Sequence, residues 1–587
     1  MKQFFKFLFA SMLGFFLTFL LFVFIFIGII ASIGKKDPVE VAPQSLLHLK
    51  LNTPIVDRSS DNPLDGFDFF TFASMKPVGL NELTRNIRKA KEDENVSGIF
   101  LDLSMTQTGW STIREVRELL LDFKESGKFI VAYGDVMTQG AYYLATVADE
   151  IYINPEGGVD FRGLNAEVMF LKNMLEKIGI EPQLIRHGKF KSAGEPLFLE
   201  KLSPENREQL QDYISSIWNT ALKDIGDQRQ LSINQLSDIA NTFETRSPEG
   251  ALQAGMIDGI VYRDEVMDIF REKLEIEKDK KVNLVQLARY NNAPLPKSMI
   301  PTRTRDKIAV VYGTGNIIMG EGGEGNMGGD RIAEALRKAR MDTTVKAIVF
   351  RVNSGGGSAL ASEIMLREAM LAAEEKPFIV SMGDVAASGG YYVACYADKI
   401  IANPNTLTGS IGVFGMIPNM QEFFNDKLGI TFDNVKTNTL ADLGSVSRPL
   451  NRVEREIIQS EIERVYETFI HHVAEGRNLP VARVDSIAQG RIWSGVDAKR
   501  VGLIDDFGGI NYAIEQAAEM AEIENYRIVE YPEQKDLMTM LREGFGGMEA
   551  RFLRSRLGES YSVYEKMQQA TENTGILMRI PYDVSID

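Results

Sequence analysis

One pattern occurs twice along this chain, and that repetition limits the fold more than any other feature. Residues 82–155 and 331–404 match at a constant offset of 249. Ile87-Arg88-Lys89-Ala90 answers Leu336-Arg337-Lys338-Ala339, and Gly134-Asp135-Val136 answers Gly383-Asp384-Val385. Tyr142-Tyr143-Leu144-Ala145 falls on Tyr391-Tyr392-Val393-Ala394, and Ile153-Asn154-Pro155 on Ala402-Asn403-Pro404. Further along, Lys177-Ile178-Gly179-Ile180 pairs with Lys427-Leu428-Gly429-Ile430 at offset 250, and Ala254-Gly255-Met256-Ile257-Asp258 with Val501-Gly502-Leu503-Ile504-Asp505 at offset 247. So small a drift implies a duplicated fold with a few loop insertions and deletions.

The two copies have lost different pieces. The second has Ala386-Ala387-Ser388-Gly389-Gly390 where the first has Met137-Thr138-Gln139-Gly140-Ala141. The first has Phe190-Lys191-Ser192-Ala193-Gly194 where the second has Leu440-Ala441-Asp442-Leu443-Gly444. A serine kept only in one half and a lysine only in the other suggest one composite site, with a nucleophile and a base donated by different halves.

Within each half, alternating strand-like and helix-like segments predict parallel βαβ units and an α/β architecture. Ser45–Leu51 and Lys307–Tyr312 read as opening strands, and Ile348–Val352 and Phe378–Met382 as buried ones. Helices are expected near 80–92, 330–341, 360–374, 205–226 and 452–476. The charge run and Pro294, Pro296 and Pro301 suggest a connector over 275–305, between repeats at 45–274 and 306–530. The tail at 531–587 has no counterpart in the first copy.

Phe7 to Gly34 is a run of 28 residues without a charge. As a helix it would extend roughly 42 Å, enough to span a bilayer with tilt. A cleaved signal peptide usually has an apolar region of only about 7–15 residues, so an uncleaved transmembrane anchor is expected. Lys2 and Lys6 nearly balance Lys35 and Lys36, and the orientation is read as N-terminus inside with the bulk of the chain outside. A net charge of −16 argues against nucleic acid as a partner. A single cysteine, Cys395, excludes an intramolecular disulfide and a multi-thiolate zinc site, and it reads as a buried structural thiol. No metal or cofactor is called for.

Ser388 lies among small residues after a buried strand, where glycine permits a tight turn that aims a hydroxyl outward. It also fits a helix N-cap; its absence from the first copy favours the nucleophile. Asn353-Ser354-Gly355-Gly356-Gly357-Ser358 follows the preceding strand, and backbone N–H groups at such a turn can stabilise an oxyanion. One donor from this loop, Gly356, and one from Gly389 would make a two-point hole; the loop lacks the phosphate-binding GxxxxGK[ST] pattern. The histidines are His48, His187, His471 and His472. The last two read as surface residues of a helix, and His187 is the credible rival base. Lys191 sits among Phe190, Ala193 and Leu197, where burial would lower its pKa and make it a base for serine. Asp135 and Asp384 occur in both copies and read as structural.

These residues resemble the S49 family of peptidases in its long, duplicated, membrane-anchored form, the signal peptide peptidases. The resemblance runs from the anchor to about residue 530. It is carried by Arg351-Val352-Asn353-Ser354 and its glycines, Ala387-Ser388-Gly389-Gly390-Tyr391, Leu407-Thr408-Gly409-Ser410-Ile411-Gly412, and Phe190-Lys191-Ser192-Ala193 with Glu195-Pro196. It implies tandem Clp-protease/crotonase-like domains and a homotetramer facing the extracytoplasmic side of a bacterial inner membrane. It also implies a Ser-Lys dyad, Ser388 as nucleophile and Lys191 as general base, with Ser410 orienting the lysine. Gly355 departs from the proline the family usually carries. The implied activity is a serine endopeptidase acting on cleaved signal peptides and other short apolar peptides. Acyl-CoA chemistry on a crotonase-like fold, or a non-catalytic membrane scaffold, are the rival readings.

Overall fold

The computed structural model describes residues 2–33, 39–60, 76–299, 304–323, 325–534 and 575–579. After the N-terminal helix Lys2–Ile33 the chain forms two α/β halves, each with its own sheet. In the first, the strands run Gly259–Ile260, Glu150–Val159, Phe129–Met137, Val96–Asp102, Ser45–Lys50 and Leu284–Gln286, all parallel. The central strands are covered by helices on both faces, which is why they read as continuous apolar runs.

The second half repeats this arrangement. Lys307–Thr314, Val345–Ser354 and Phe378–Ala387 pair in parallel, and Lys399–Ala402 and Leu407–Gly409 both extend from Phe378–Ala387. Ile492–Ser494 closes one edge antiparallel, and Arg527–Tyr531 closes the other in parallel. The long helices Pro204–Arg229 and Arg452–Gly476 begin at side-chain caps, Ser203 accepting from the Asn206 N–H and Asn451 from the Glu454 N–H. The duplicated α/β class and the expected helices are present.

Two expectations about the ends of the halves change. The presumed connector 275–305 contains Leu284–Gln286, an edge strand of the first sheet. Its position beside Ser45–Lys50 corresponds to that of Arg527–Tyr531 beside Lys307–Thr314. Lys89 Nζ donates to the Tyr290 and Ala293 carbonyls, so the chain up to 293 is packed onto the first half. The tail contributes the strand Gly575–Arg579.

The halves share a core. Leu83 and Ile87 of the first pack in one buried cluster with Ile308, Val349, Ala513 and Ala517 of the second. At their boundary the buried Arg351 guanidinium donates to Asp57 at 2.7 Å and to Glu115 at 2.7 Å. Both carboxylates come from the first half and the guanidinium from the second. A third sheet is built from both: its order is Asn326–Gly328, Asn316–Ile318, Gly356–Ser358, Gly575–Arg579, Val413–Asn419 and Glu181–His187. Glu181–His187 crosses from the first half and pairs antiparallel with Val413–Asn419 over seven residues. That crossing brings the first half's loop 188–194 to the second half.

The N-terminal helix has an apolar window, Gln3–Phe22, of mean hydropathy 2.0 with none of it buried against protein. By length and composition it can cross a membrane. Gly34, the last residue of the expected anchor, lies outside the described residues.

Candidate active site

Ser388 joins the strand Phe378–Ala387 to the short helix Gly389–Tyr392. Its backbone is strained, at φ 56° and ψ −115°, in a region that L-residues avoid. Its N–H donates to the Gly409 carbonyl at 2.8 Å, which fixes the turn. The side chain makes no capping hydrogen bond to the helix, so the N-cap reading fails. The hydroxyl instead faces Lys191, whose Nζ stands 2.8 Å from Ser388 Oγ.

Lys191 is held four residues beyond the crossing strand. The Phe190 N–H donates to the Gln489 carbonyl at 2.9 Å, and Arg186 Nη1 donates to the Lys191 carbonyl at 2.8 Å. Gly490, at φ 79°, lets the second half press against it; a Cβ there would lie 2.6 Å from the Lys191 backbone. Lys191, Ser388 and Ser410 all have 0% exposure. The amine also lies 3.0 Å from the Ser410 carbonyl oxygen and 3.1 Å from Ser410 Oγ.

Burial lowers the Lys191 pKa well below its ordinary 10.5. The nearby buried Glu195 does not offset this. Its carboxylate accepts from Ser203 Oγ at 2.7 Å and from Asn206 Nδ2 at 2.9 Å, and it lies 3.6 Å from Arg186 Nη1. It thus anchors the lysine loop to the start of the helix Pro204–Arg229 and leaves the amine among hydroxyls and a carbonyl. A neutral amine so placed can donate two hydrogens to Ser410 and accept the Ser388 hydroxyl proton.

Gly356 and Gly389, named from sequence as oxyanion donors, are brought together. A Cβ on Gly356, which adopts φ 94°, would lie 2.7 Å from the Gly389 nitrogen. The Gly356 N–H itself donates to Ser354 Oγ at 3.1 Å, so the expected second donor is engaged within its own loop here. Asn353 secures the loop: its Nδ2 donates to Asp57 at 2.8 Å, and its Oδ1 accepts the Val385 N–H at 3.2 Å.

The other candidates lie elsewhere. His187 pairs in register with Val413, and its ring stacks on Tyr466 at 3.9 Å between centroids. His471 is exposed, but His472, expected at the surface, is half-buried and hydrogen-bonded to the Tyr396 hydroxyl at 3.1 Å. Asp384 accepts from the Thr112 N–H at 2.9 Å and from its hydroxyl at 2.6 Å, a contact between the halves. Asp135 accepts from Tyr133 and Asn154 within the first half. Cys395 is fully buried, and burial pushes its thiol pKa up.

In the first half the position equivalent to Ser388 is held by Gln139. The Gln139 side chain accepts the N–H groups of Arg162 and Gly163 at 2.8 and 2.7 Å and donates to the Gly163 carbonyl at 2.8 Å. Reading the sequence alone missed Asp57 and Glu115, and it named Ser354 and Glu195 only within motifs, without their roles. Of these, Glu195 had a visible signal in the Glu195-Pro196 pair just after the lysine loop.

The profile of peptidase family S49 matches residues 122–277 and 370–524, one match in each half. The chain is 36% identical to Protease 4 of Haemophilus influenzae over 517 residues, which is 86% of this chain and 83% of that protein. It is 34% identical to Protease 4 of Salmonella typhi, over 90% of this chain and 87% of the relative. It is also 37% identical to the chloroplastic serine protease SPPA of Arabidopsis thaliana, over 76% of this chain and 66% of that one.

Proposed function

The chain belongs to peptidase family S49, and we propose that it is a membrane-anchored serine endopeptidase that uses a Ser388–Lys191 dyad to degrade cleaved signal peptides and other short apolar peptides. The observation that carries this reading is the 2.8 Å approach of a fully buried amine, its pKa lowered by burial, to the hydroxyl of a strained serine.

Lys191 Nζ takes the proton of Ser388 Oγ as that oxygen attacks the scissile carbonyl. Ser410, through its carbonyl and hydroxyl, holds the amine so that its lone pair faces Ser388. The Gly389 N–H, at the N-terminus of a helix, receives the charge that develops on the carbonyl oxygen, joined by the Gly356 N–H once it leaves Ser354 Oγ. The ammonium then returns its proton to the leaving amine, and an ester joins the peptide's acyl part to Ser388. Water, deprotonated by the same lysine, releases the acid.

That the relatives are proteases supports peptides as the substrate class. The helix Lys2–Ile33 anchors the protein in the bacterial inner membrane with its catalytic bulk extracytoplasmic, and the assembled form is a homotetramer. Labelling by a fluorophosphonate, with peptide hydrolysis measured alongside, tests the chemistry. Both are expected in the wild type and lost in Ser388→Ala; hydrolysis at wild-type rate in folded Ser388→Ala would end the proposal.

A further inference from the structure

The lysine loop and the serine turn come from different halves, and one buried side chain reaches both. Gln209 lies near the start of the helix Pro204–Arg229 and is 1% exposed. Its Nε2 donates to the Phe190 carbonyl at 3.2 Å and to Ser192 Oγ at 3.0 Å, the residues on either side of Lys191. Its Oε1 accepts the Ile492 N–H at 3.1 Å, from the edge strand Ile492–Ser494 of the second half. That strand is tied to both serines. Ile492 pairs with Gly409, whose carbonyl accepts the Ser388 N–H at 2.8 Å, and the Arg491 carbonyl accepts the Ser410 N–H at 2.7 Å. A single amide thus joins the backbone that carries the amine to the backbone that carries Ser388 and Ser410.

The chemistry of the position requires an amide. Phe190 offers a carbonyl and Ile492 an N–H, so the bridging group must donate at one end and accept at the other. Nε2 also donates to Asn206 Oδ1 at 3.0 Å, and Asn206 in turn donates to Glu195, which fixes the side chain in place. The charged groups around the loop are paired with one another. Arg186 lies 3.6 Å from Glu195, and Arg491 donates to Glu208 at 2.9 Å and to Asp212 at 2.6 Å while lying 4.7 Å from the centre of the Phe190 ring. Lys189 lies over the same ring at 4.8 Å. The lowered pKa of Lys191 is therefore owed to burial, which lasts only while these segments stay closed on it. The duplication supplies a control here too. The caps Ser203 and Asn451 set an offset of 248 between the two long helices, and at that offset Gln209 falls on Ile457. The copy without the lysine has no amide at this position.

We propose that Gln209 is a positioning residue for the dyad, its amide setting the placement of the Lys191 amine against Ser388 and Ser410 across the junction of the halves. This rests on the peptidase reading and adds to its site a side chain that touches no reacting atom. Without the amide, the lysine loop and the edge strand lose their shared hydrogen-bond partner, and the loop can move away from the strand. A misplacement of about 1 Å in such a site costs about 100-fold in rate, and water admitted beside the amine restores its charge.

The experiment compares the full chain with Gln209→Met, which keeps the volume and removes the amide, and with Gln209→Glu, which keeps the acceptor for Ile492 and loses the donor to Phe190 and Ser192. Hydrolysis of a fluorogenic apolar peptide gives kcat and KM as functions of pH. Acetylation of Lys191 by acetic anhydride, read by mass spectrometry over the same pH range, follows the amine independently of hydrolysis, and circular dichroism follows folding. The expected result in both variants is a kcat lowered about 100-fold at its high-pH plateau, with KM retained. The inflection should move up by about one pH unit or more in both assays, and further in Gln209→Glu, whose buried carboxylate favours the ammonium. A lower melting temperature with kcat and inflection unchanged overturns the proposal, since the amide would then only pack the halves together. So does a raised KM at unchanged kcat. Where one variant does not fold, the other decides alone. The two readings fail separately. Hydrolysis whose kcat and inflection ignore both substitutions leaves the peptidase standing and removes Gln209 from its positioning role. Absence of hydrolysis in all three, with the inflection of Lys191 acetylation still moved by the substitutions, leaves the hold of the amide on the amine standing without the peptidase.

Discussion

Replacing Lys191 by methionine keeps most of the side-chain volume and removes the amine. In the wild-type site, that amine lies 2.8 Å from Ser388 Oγ with its pKa lowered by burial. Activity and stability should then move in opposite directions. Losing a positioned general base slows acylation of Ser388 by about 10²- to 10⁴-fold. Stability follows from linkage. The unfolded chain's lysine keeps its proton up to its ordinary pKa of 10.5, whereas the folded one releases it at lower pH. Between the two values the unfolded state binds more protons, so wild-type stability rises with pH. The penalty is absent above the unfolded pKa, grows by about 1.4 kcal/mol for each pH unit of descent through that window, and levels off below the folded pKa. Lys191→Met has no such dependence. Thermal unfolding of the two proteins should therefore diverge as pH falls from about 10.5, with methionine the more stable. The wild-type rate of fluorophosphonate labelling should rise with pH to a plateau, with an inflection below the ordinary lysine value. Lys191→Arg should be inactive throughout, because guanidinium stays protonated. An inflection that persists in Lys191→Met, or a folded Lys191→Met with near wild-type labelling, refutes the assignment.

Four further outcomes can be checked. Arg351→Met leaves Asp57 and Glu115 buried without their cation, at a cost of about 3–5 kcal/mol; calorimetry should show a lower melting temperature, partly recovered by adding Asp57→Asn and Glu115→Gln. His187→Ala should keep most of its kcat/KM, since the ring stacks on Tyr466 and the base is supplied by Lys191; a dead His187→Ala beside an active Lys191→Ala would reverse the roles. Gln139→Ser in a Ser388→Ala background should stay unlabelled by fluorophosphonate, because the described partners of the Gln139 side chain are backbone groups of Arg162 and Gly163 rather than a lysine amine. The full-length protein should sediment with membranes and a form lacking residues 1–38 should not; N-terminal sequencing that begins between residues 30 and 45 would instead indicate a cleaved leader.

The parallel strands could be read from sequence because both of their faces are covered, so apolar runs such as Ile348–Val352 announce themselves. The proposed dyad was legible for a different reason: duplication supplies an internal control at every position, and Gln139 and Ala441 mark what the other half had to contribute. The short strands were not legible. Leu284–Gln286 and Gly575–Arg579 have three and five residues and no period to detect. Both become strands because a finished neighbour offers an unpaired edge, and backbone hydrogen bonding accepts almost any side chain. The buried trio was hidden for a related reason. Asp57, Glu115 and Arg351 are far apart in sequence, and each alone is indistinguishable from a surface charge.

The geometry also explains why one site is divided between two halves. In the proposed mechanism Lys191 becomes a base only when its charge is disfavoured, and the desolvation that does this comes largely from the other half: Gly490 against its backbone, Gly412, where a Cβ would lie 3.2 Å from its Cδ, and Ser410 beyond. In a separated first half, the loop after Glu181–His187 would face water and the amine would keep its proton. Separation would leave Ser388 in the second half with its turn but no proton acceptor. The corresponding segment there, 431–437, forms no strand and is exposed, and Ala441 projects into solvent. Docking of the halves therefore does two things with one set of contacts. It delivers the amine to the serine through seven paired residues, and it lowers the amine's pKa by burying it. A buried lysine is a standing cost to the fold, and the shared core and the Arg351 trio are what hold the halves together against it. The residues that lock the interface are in that sense part of the catalytic apparatus, although none of them touches the reacting atoms.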